Sequence, residues 1–530
     1  MIAKFPYKLN HFGFDPHPRS GQNRAEGKLG IWNFYFLAKI YLYLGGYIDF
    51  HPLLNALFFA GVVLLPLWLP RLFASRASRL AFGTIAGFLA FLLFWKDSFF
   101  PPIGTALAFA DKPSAAYVFH FLLGYWNPWV ALVLALLLAA SIFALRYRLA
   151  LGPVVFFLVA AVGVHDLLRP HEPLDEAVDR FYAAEAQKKT MLPVPASGSR
   201  PFDIVILHVC SLSWDDLKVV GLEKHPFFAN FDLLFTDFNS VTSYSTPATL
   251  RVLRSTCGQA SHLGIYSDAD EDCYLLQQLR RTGYSTQVAF NHEGKLSKEM
   301  AEDGIRWGKA DHFFPLTGMA PESRNFDESP LYNNYALLER WWKTRLASGN
   351  ERAMLYFNTS TLHGGAHLIG QTDWWKQDEL RYQKLTNHLF DDLSRFFSLL
   401  KESNRDVLVV FVPEHGAALR GTKIQAKDLR DIPLPPITKV PVGLKYIRHG
   451  SVPAKQTVVS TPTSFQAIAY LLAAALRSHG SGDGAPWSST GIERIPTTPF
   501  LSENESARVF RFEGTTHYTV KGGSWHPLRE

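Results

Sequence analysis

Glu414 and His415, in the run Pro413-Glu414-His415-Gly416, follow directly on the apolar stretch Val407 to Val412. A carboxylate and an imidazole therefore sit where a buried strand would open into a loop. Open α/β sheets collect their chemistry at the carboxyl ends of strands, and two more apolar runs end in groups that suit the same centre. Asp203 to Val209 ends in Cys210, and Leu233 to Phe238 leads through Asn239 and Tyr244 into Ser245-Thr246-Pro247. Thr246 reads as a helix N-cap with Pro247 at the first helical position. Ser245 then lies at a helix N-terminus, whose free N–H groups and dipole favour phosphate. A serine hydroxyl is a weak nucleophile at neutral pH, and a divalent cation both lowers its pKa and screens the charge of a phosphodiester. A thiolate disfavours magnesium and calcium, so Cys210, Glu414 and His415, with the Ser245 oxygen in fourth position, point to tetrahedral zinc (Zn2+). Sharing one ion requires the Cys210 sulfur within ~7 Å of the other two side chains.

Each feature has a plainer meaning by itself. A lone cysteine is usually a small buried hydrophobe, Ser-Thr-Pro usually starts a helix, and a Glu-His pair after a strand is usually a polar loop. Their joint occurrence, at the ends of three separate expected strands, is what argues for a site.

The elements that must carry these residues are legible as an alternation. Apolar runs suited to buried strands, at 203–209, 233–239, 285–290, 353–358, 406–412 and 440–446, alternate with helical patterns such as 376–401 and 463–477. That order predicts an α/β domain with a largely parallel central sheet flanked by helices on both faces. The tail at 506–521 reads as one or two further strands, and no internal repeat is evident.

The first third of the 530 residues is of another kind. A mean hydropathy of +0.00 averages a part rich in Leu, Phe and Ala with a mixed polar remainder. Apolar stretches near 31–48, 52–70, 80–95, 128–145 and 150–168 each approach the ~20 residues that cross a hydrocarbon core, which predicts about five spans. Lys39 in the first stretch suits a tilted or interfacial helix. Lys4, Lys8, Arg19, Arg24 and Lys28 precede the first stretch, Arg71, Arg76 and Arg79 follow the second, and Arg146 and Arg148 follow the fourth. The positive-inside rule keeps the N-terminus in the cytoplasm, and an odd number of spans exports the rest. The first run begins too far in for a removed signal peptide, and few charges in the spans argue for anchoring rather than transport.

The expected division is a cytoplasmic arm over 1–30, a transmembrane part over 31–168, a linker over 169–200 and an exported catalytic domain over 201–530. The 53 Lys and Arg against 47 Asp and Glu are scattered, with no basic stripe interleaved with aromatics, which argues against nucleic acid as a partner. All three cysteines fall in the exported part. Cys257 and Cys273 are near enough to close a small loop, which an oxidising compartment favours. Cys210 is then an odd thiol, tolerable if buried or bound to metal.

The runs Ile204 to Asp215, Ser243-Tyr244-Ser245-Thr246-Pro247-Ala248-Thr249-Leu250, Asn358-Thr359-Ser360-Thr361-Leu362-His363-Gly364-Gly365 and Val412 to Gly416 resemble the alkaline-phosphatase superfamily. More closely, they are similar to cellulose phosphoethanolamine transferases of the BcsG type. The likeness spans nearly the whole chain, and its departures make it specific: lipid A-type ethanolamine phosphotransferases usually have an acidic ligand in place of Cys210, a threonine in place of Ser245 and Asp-His in place of Glu414-His415. A Cys257–Cys273 pairing also fits the cellulose branch. The resemblance implies a bacterial inner-membrane enzyme with a periplasmic domain. It would move phosphoethanolamine from phosphatidylethanolamine to Ser245 and then to a glucose 6-hydroxyl of cellulose, beside other subunits of a cellulose synthase complex. It implies His363 as general acid/base or phosphate contact and Tyr244 as a positioning group. Trp341-Trp342 and Trp374-Trp375 would offer stacking platforms for sugar if exposed, and core packing if not. A hydrolase or glycerophosphate transferase of the same fold, or a glycan-binding scaffold of the synthase complex, would share most of these features.

Overall fold

The computed structural model describes residues 30–45, 47–98, 127–147, 149–167, 173–196, 200–304, 306–325, 327–371, 378–448, 455–478, 487, 489–520 and 523–528. The arm expected over 1–30, up to residue 29, and the Trp374-Trp375 pair lie outside the described residues.

Helices fall on each of the five apolar stretches: α1 (Trp32–Leu44), α2 (Pro52–Trp68), α3 (Arg76–Asp97), α4 (Pro128–Arg146) and α5 (Gly152–Leu167). Of these, α3 and α4 are long and apolar enough to cross a membrane, while α2 and α5 are shorter. Leu80, Phe88, Leu136 and Phe143 stand exposed on their surfaces. Lys39 of α1 is turned inward. Its Nζ lies 2.5 Å from Asp97 Oδ2 and 2.6 Å from Asn55 Oδ1, and His51 Nδ1 lies 2.6 Å from Asp97 Oδ1. The charge in the first apolar run is thus neutralised by a partner from α3, as a charge among apolar helices must be.

Next comes α6 (Pro173–Glu185). Leu174, Ala177, Val178 and Phe181 recur at helical spacing and pack on Leu501, Phe510 and Trp525 near the end of the chain. Trp525 Nε1 donates to Asp175 Oδ1 at 2.9 Å. This part of the expected linker is docked on the C-terminal strands.

The main sheet has the order β11-β2-β10-β9-β1-β7-β3-β4, with β1 (Phe202–Val209), β2 (Leu233–Asn239), β3 (Ser285–Phe290), β4 (His312–Phe313), β7 (Ala353–Thr359), β9 (Asp406–Pro413), β10 (Lys439–Ile447) and β11 (Thr457–Val459). β5 (Pro321–Arg324), β6 (Pro330–Tyr332) and β8 (His367–Leu368) form a small second sheet. Strands β1, β7, β9, β3 and β2 all run the same way, whereas β10 is antiparallel to both its neighbours. An apolar run such as 440–446 carries no sign of its direction. Here the chain leaves β9 at the carboxyl edge and passes through a long loop and the short helix at Pro435–Thr438 into β10 at the same edge, so the return is antiparallel.

Both faces of the sheet are covered. Ile204 and Ile206 of β1 point into one core, and Val205, Leu207 and Val209 into the other. Trp341 and Trp342, on the helix Asn334–Ala347, belong to the second core at 0 % and 1 % exposure. They pack against the sheet and offer no face to a sugar. The tail forms a four-stranded antiparallel sheet of β12 (Leu501–Glu503), β13 (Ala507–Phe512), β14 (Thr515–Val520) and β15 (His526–Pro527). Cys257 and Cys273 form a disulfide, and Cys210 is the free, buried thiol.

Candidate metal centre and nucleophile

Because β1, β2, β3, β7 and β9 are co-directional, their carboxyl ends share one edge of the sheet. Cys210 follows β1, Glu414 and His415 follow β9, and the segment after β2 leads to Ser245. One donor atom from each of Cys210, Glu414 and His415 lies within 4.8 Å of the others, and all three residues are buried. Cys210 Sγ is 3.6 Å from Ser245 Oγ. The four residues named from the sequence come together inside the distance a shared ion requires.

The backbone is bent to achieve this. Ser211, just beyond Cys210, has φ 62°, and Val241, four residues before Ser245, has φ 69°. For a β-branched residue a left-handed conformation is an outlier that its surroundings must hold. Here Val241 N–H donates to Asn239 Oδ1 at 2.9 Å, and its carbonyl accepts from Glu503 N–H at 2.7 Å. Beyond His415, Asp216 Oδ2 accepts from Ala417 N–H at 2.7 Å and Oδ1 from Leu419 N–H at 3.0 Å. A Cβ on residue 416 would lie 2.6 Å from Asp216 Oδ2 and from Ser213 Oγ, so the glycine allows that close approach.

The helix that presents Ser245, Ser245–Leu253, begins two residues earlier than the Ser-Thr-Pro pattern predicts. Tyr244 is the extended cap residue, and its carbonyl accepts the first helical bond from Ala248 N–H at 3.1 Å. Pro247 thus falls in the first turn, where its missing N–H leaves no helical bond unmade. Thr246 Oγ1 reaches Glu299 Oε2 at 3.4 Å instead of capping. Half-buried Ser245 is the first helical residue, among the free N–H groups of the turn.

Burial sets the protonation of the donor groups. Burial first, and the Glu414 carboxylate second, push the Cys210 thiol up to about 12. Burial also raises Glu414, tempered by the neighbouring Ser245 hydroxyl and by the Asn358 amide. Burial and then the Arg430 charge hold His415 well below the ordinary histidine range, so its ring is neutral. His415 Nδ1 donates to Gly416 O at 2.9 Å, which leaves the Nε2 lone pair facing Glu414 Oε2 at 3.7 Å. Oε2 itself is buried and has no hydrogen-bond partner among the described residues. A protonated thiol, a carboxyl pushed up by burial and a free imidazole lone pair around one orphaned oxygen are what a divalent cation would resolve. A mixed sulfur, nitrogen and oxygen set of this kind suits zinc.

Arg430 and Asn504 escaped the sequence reading. Arg430 Nη1 lies 3.3 Å from Ser211 Oγ and 3.3 Å from His415 Nδ1, which brings a guanidinium beside the donor set. Asn504 follows β12. Its Oδ1 accepts from Thr242 Oγ1 at 2.8 Å, and its Nδ2 donates to Ser243 Oγ at 2.6 Å and to Asp431 O at 3.0 Å. Ser243 Oγ also bonds the Arg430 carbonyl. One buried amide therefore ties the approach to Ser245 to the loop that carries Arg430. Tyr244 OH donates to Asp431 Oδ1 at 2.8 Å. His363 follows β7, with Nδ1 3.1 Å from Gly364 O. Burial first and the Arg430 charge second bring its ring down to about 4, so it is neutral at physiological pH.

Comparison with known proteins gives consistent matches along the chain. A family model described as the cellulose biosynthesis protein BcsG C-terminal domain matches residues 164–525, and one for the BcsG N-terminal domain matches residues 32–164. The cellulose biosynthesis protein BcsG of Escherichia coli (strain K12) is 33% identical over 94% of this chain and 96% of its own length. That of Salmonella typhimurium (strain LT2) is also 33% identical, over 94% and 96%. Among solved structures, a protein in the alkaline phosphatase superfamily from Vibrio parahaemolyticus superposes at a TM-score of 0.46 and 14% identity, covering 67% of this chain and 91% of that one. The C-terminal periplasmic domain of EcEptC from Escherichia coli superposes at 0.40 and 15% identity, covering 59% and 94%.

Proposed function

Because the chain belongs to the cellulose biosynthesis protein BcsG family, we propose that it is a zinc-dependent transferase moving phosphoethanolamine from phosphatidylethanolamine to the glucose 6-hydroxyls of cellulose. The observation that carries this reading is the meeting of Cys210, Glu414, His415 and Ser245 at one buried point beneath a helix N-terminus. Bound by those residues, zinc would supply Lewis acidity that lowers the pKa of the serine hydroxyl and offsets charge on the phosphodiester.

In the first half-reaction Ser245 Oγ attacks the phosphorus of phosphatidylethanolamine. The Ser245 proton passes to His363, the phosphorus–oxygen bond to diacylglycerol breaks, that oxygen takes the proton from His363, and phosphoethanolamine remains on Ser245. In the second half a glucose 6-hydroxyl attacks the same phosphorus, its proton passes to His363, the phosphorus–oxygen bond to Ser245 breaks, and the serine oxygen takes that proton. His363, neutral beside Arg430, is the residue we assign to moving these protons. Arg430 and the first-turn N–H groups face the anionic oxygens. Tyr244, half-exposed and held by Asp431, positions the segment that enters the helix.

The donor is a bilayer lipid, so a membrane anchor raises the local concentration of the domain at the headgroups. Helices α3 and α4 support that anchor. With the N-terminus cytoplasmic, the catalytic domain lies in the periplasm, where cellulose emerges beside other synthase subunits. The test is mass spectrometry of the Ser245 peptide after exposure to phosphatidylethanolamine. A phosphoethanolamine adduct is expected, and its absence from protein that holds zinc rejects the covalent route.

A further inference from the structure

Behind Glu414 lies a directed chain of side chains. His292, just beyond β3, accepts a hydrogen bond at Nδ1 from Gly294 N–H at 3.1 Å. In the neutral ring that bond puts the proton on Nε2, which donates to Asn358 Oδ1 at 3.1 Å. The amide of Asn358 is thereby fixed in one orientation, with Nδ2 toward Glu414. The Asn358 Nδ2 to Glu414 Oε1 distance is 2.6 Å. The register of the sheet builds this row: Phe290 of β3 pairs with Asn358 of β7, and Asn358 pairs with His208 of β1. His292, Asn358 and Glu414 are all at least nine-tenths buried. A second branch closes the set, with Tyr356 OH 2.6 Å from His208 Nδ1 and 3.1 Å from Thr249 Oγ1, on the same helix as Ser245.

From this geometry we infer that Asn358 is a positioning residue for the metal ligand Glu414, and that His292 sets the orientation of Asn358. The inference rests on the zinc-centre reading above. Glu414 has two oxygens and only one can be given to the protein if the other is to serve the site. Asn358 holds Oε1, and Oε2 is the orphan that faces His415 Nε2. Without the amide, the carboxylate is free to rotate, and both oxygens compete for one direction. With the imidazole flipped, a carbonyl rather than an amine of Asn358 would confront Glu414, oxygen against oxygen. Such outer partners raise affinity by fixing the angle of a ligand rather than by touching the ion.

The test uses the full-length protein and reads metal binding apart from turnover. Zinc affinity is measured by competition with a chromophoric chelator, and the cobalt(II)-substituted protein is followed by its visible absorption. Asn358→Ala is expected to weaken zinc binding by about 10–100-fold and to shift the cobalt bands, while circular dichroism of the metal-free protein stays as in the unmodified chain. If Asn358→Ala does not fold, His292→Phe, which leaves Asn358 in place, carries the comparison and is expected to weaken binding in the same direction. His292→Gln, which keeps an N–H donor, is expected to restore most of the loss. Unchanged zinc affinity and unchanged cobalt bands in Asn358→Ala, or in His292→Phe where Asn358→Ala does not fold, overturn the inference. If the unmodified protein itself binds no zinc, the zinc reading falls and the positioning role falls with it.

Discussion

The sulfur of Cys210 lies 3.6 Å from the hydroxyl of Ser245, although their parent strands, β1 and β2, are separated in the sheet by β9 and β10. Three strand spacings amount to about 14 Å, so the segment 240–244 must fold back across the sheet edge to deliver the serine. The left-handed Val241 and the clamp by Asn504 are the devices that turn it.

The two ends of that contact should separate genetically. Cys210→Ala is expected to abolish zinc binding and transfer together. Ser245→Ala should keep zinc and lose transfer by about 10⁴-fold or more. Metal analysis alongside a headgroup-transfer assay checks both, and a Cys210→Ala protein with full zinc content would refute the ligand assignment.

Arg430 is expected to matter for the chemical step more than for donor binding. Removing one preorganised donor at a reacting oxyanion lowers kcat by about 10²–10³-fold, and Arg430→Ala should show that loss with a smaller change in KM. Arg430→Lys should recover little of it, because an ammonium cannot span the positions a planar guanidinium fills. Steady-state kinetics with defined lipids decides the matter.

Asn504→Ala should damage both fold and activity from outside the donor set. It strips partners from Thr242, Ser243 and the Arg430 and Asp431 carbonyls, and buried groups left unpaired cost about 1–3 kcal/mol. Urea unfolding is expected to show that loss with an unchanged m-value, and kcat to fall with it. Stability equal to the unmodified protein would count against the clamp.

A pH test falls on Glu322 and His388, away from the metal centre, where His388 Nε2 is 3.1 Å from Glu322 Oε2. The hydrogen bond to Glu322 raises His388 above 6.5, and the bond from His388 holds Glu322 below 4.5. The histidine contribution is complete below 6.5 and is lost as pH climbs through the raised value. The carboxylate contribution is complete above 4.5 and is lost as pH drops through the depressed one. His388→Gln should therefore lower Tm most between about pH 4.5 and 6.5, converging with the unmodified protein at alkaline pH. Both groups are near a third exposed, so screening limits the effect to less than about 1 kcal/mol. A Tm difference constant from pH 5 to 9 would contradict it.

Cys210, Glu414 and His415 were legible because they follow directly on apolar runs whose ends the edge rule brings to one place, and Ser245 because Ser-Thr-Pro marks a helix start shortly after another. The direction of β10 was not, since Val440 to Tyr446 reads the same either way. Arg430 and Asn504 sit in loops with no local pattern, and Asn358 and His292 are single polar residues at strand ends, whose value appears only when register sets them side by side. Trp341 and Trp342 illustrate the same limit: adjacency on a helix did not say which way the rings face, and the sheet claims them both. The cap at Tyr244 in place of Thr246 shows that a Ser-Thr-Pro string fixes a helix start only to within a turn.

The docking of α6 on the C-terminal strands has a practical corollary for anyone preparing a soluble fragment. Starting at Arg200 would bare Phe510 and Trp525 and loosen the sheet from which Asn504 reaches the segment ahead of Ser245. A piece that begins ahead of Pro173 keeps its own cover, and should stay soluble and active where the shorter one aggregates.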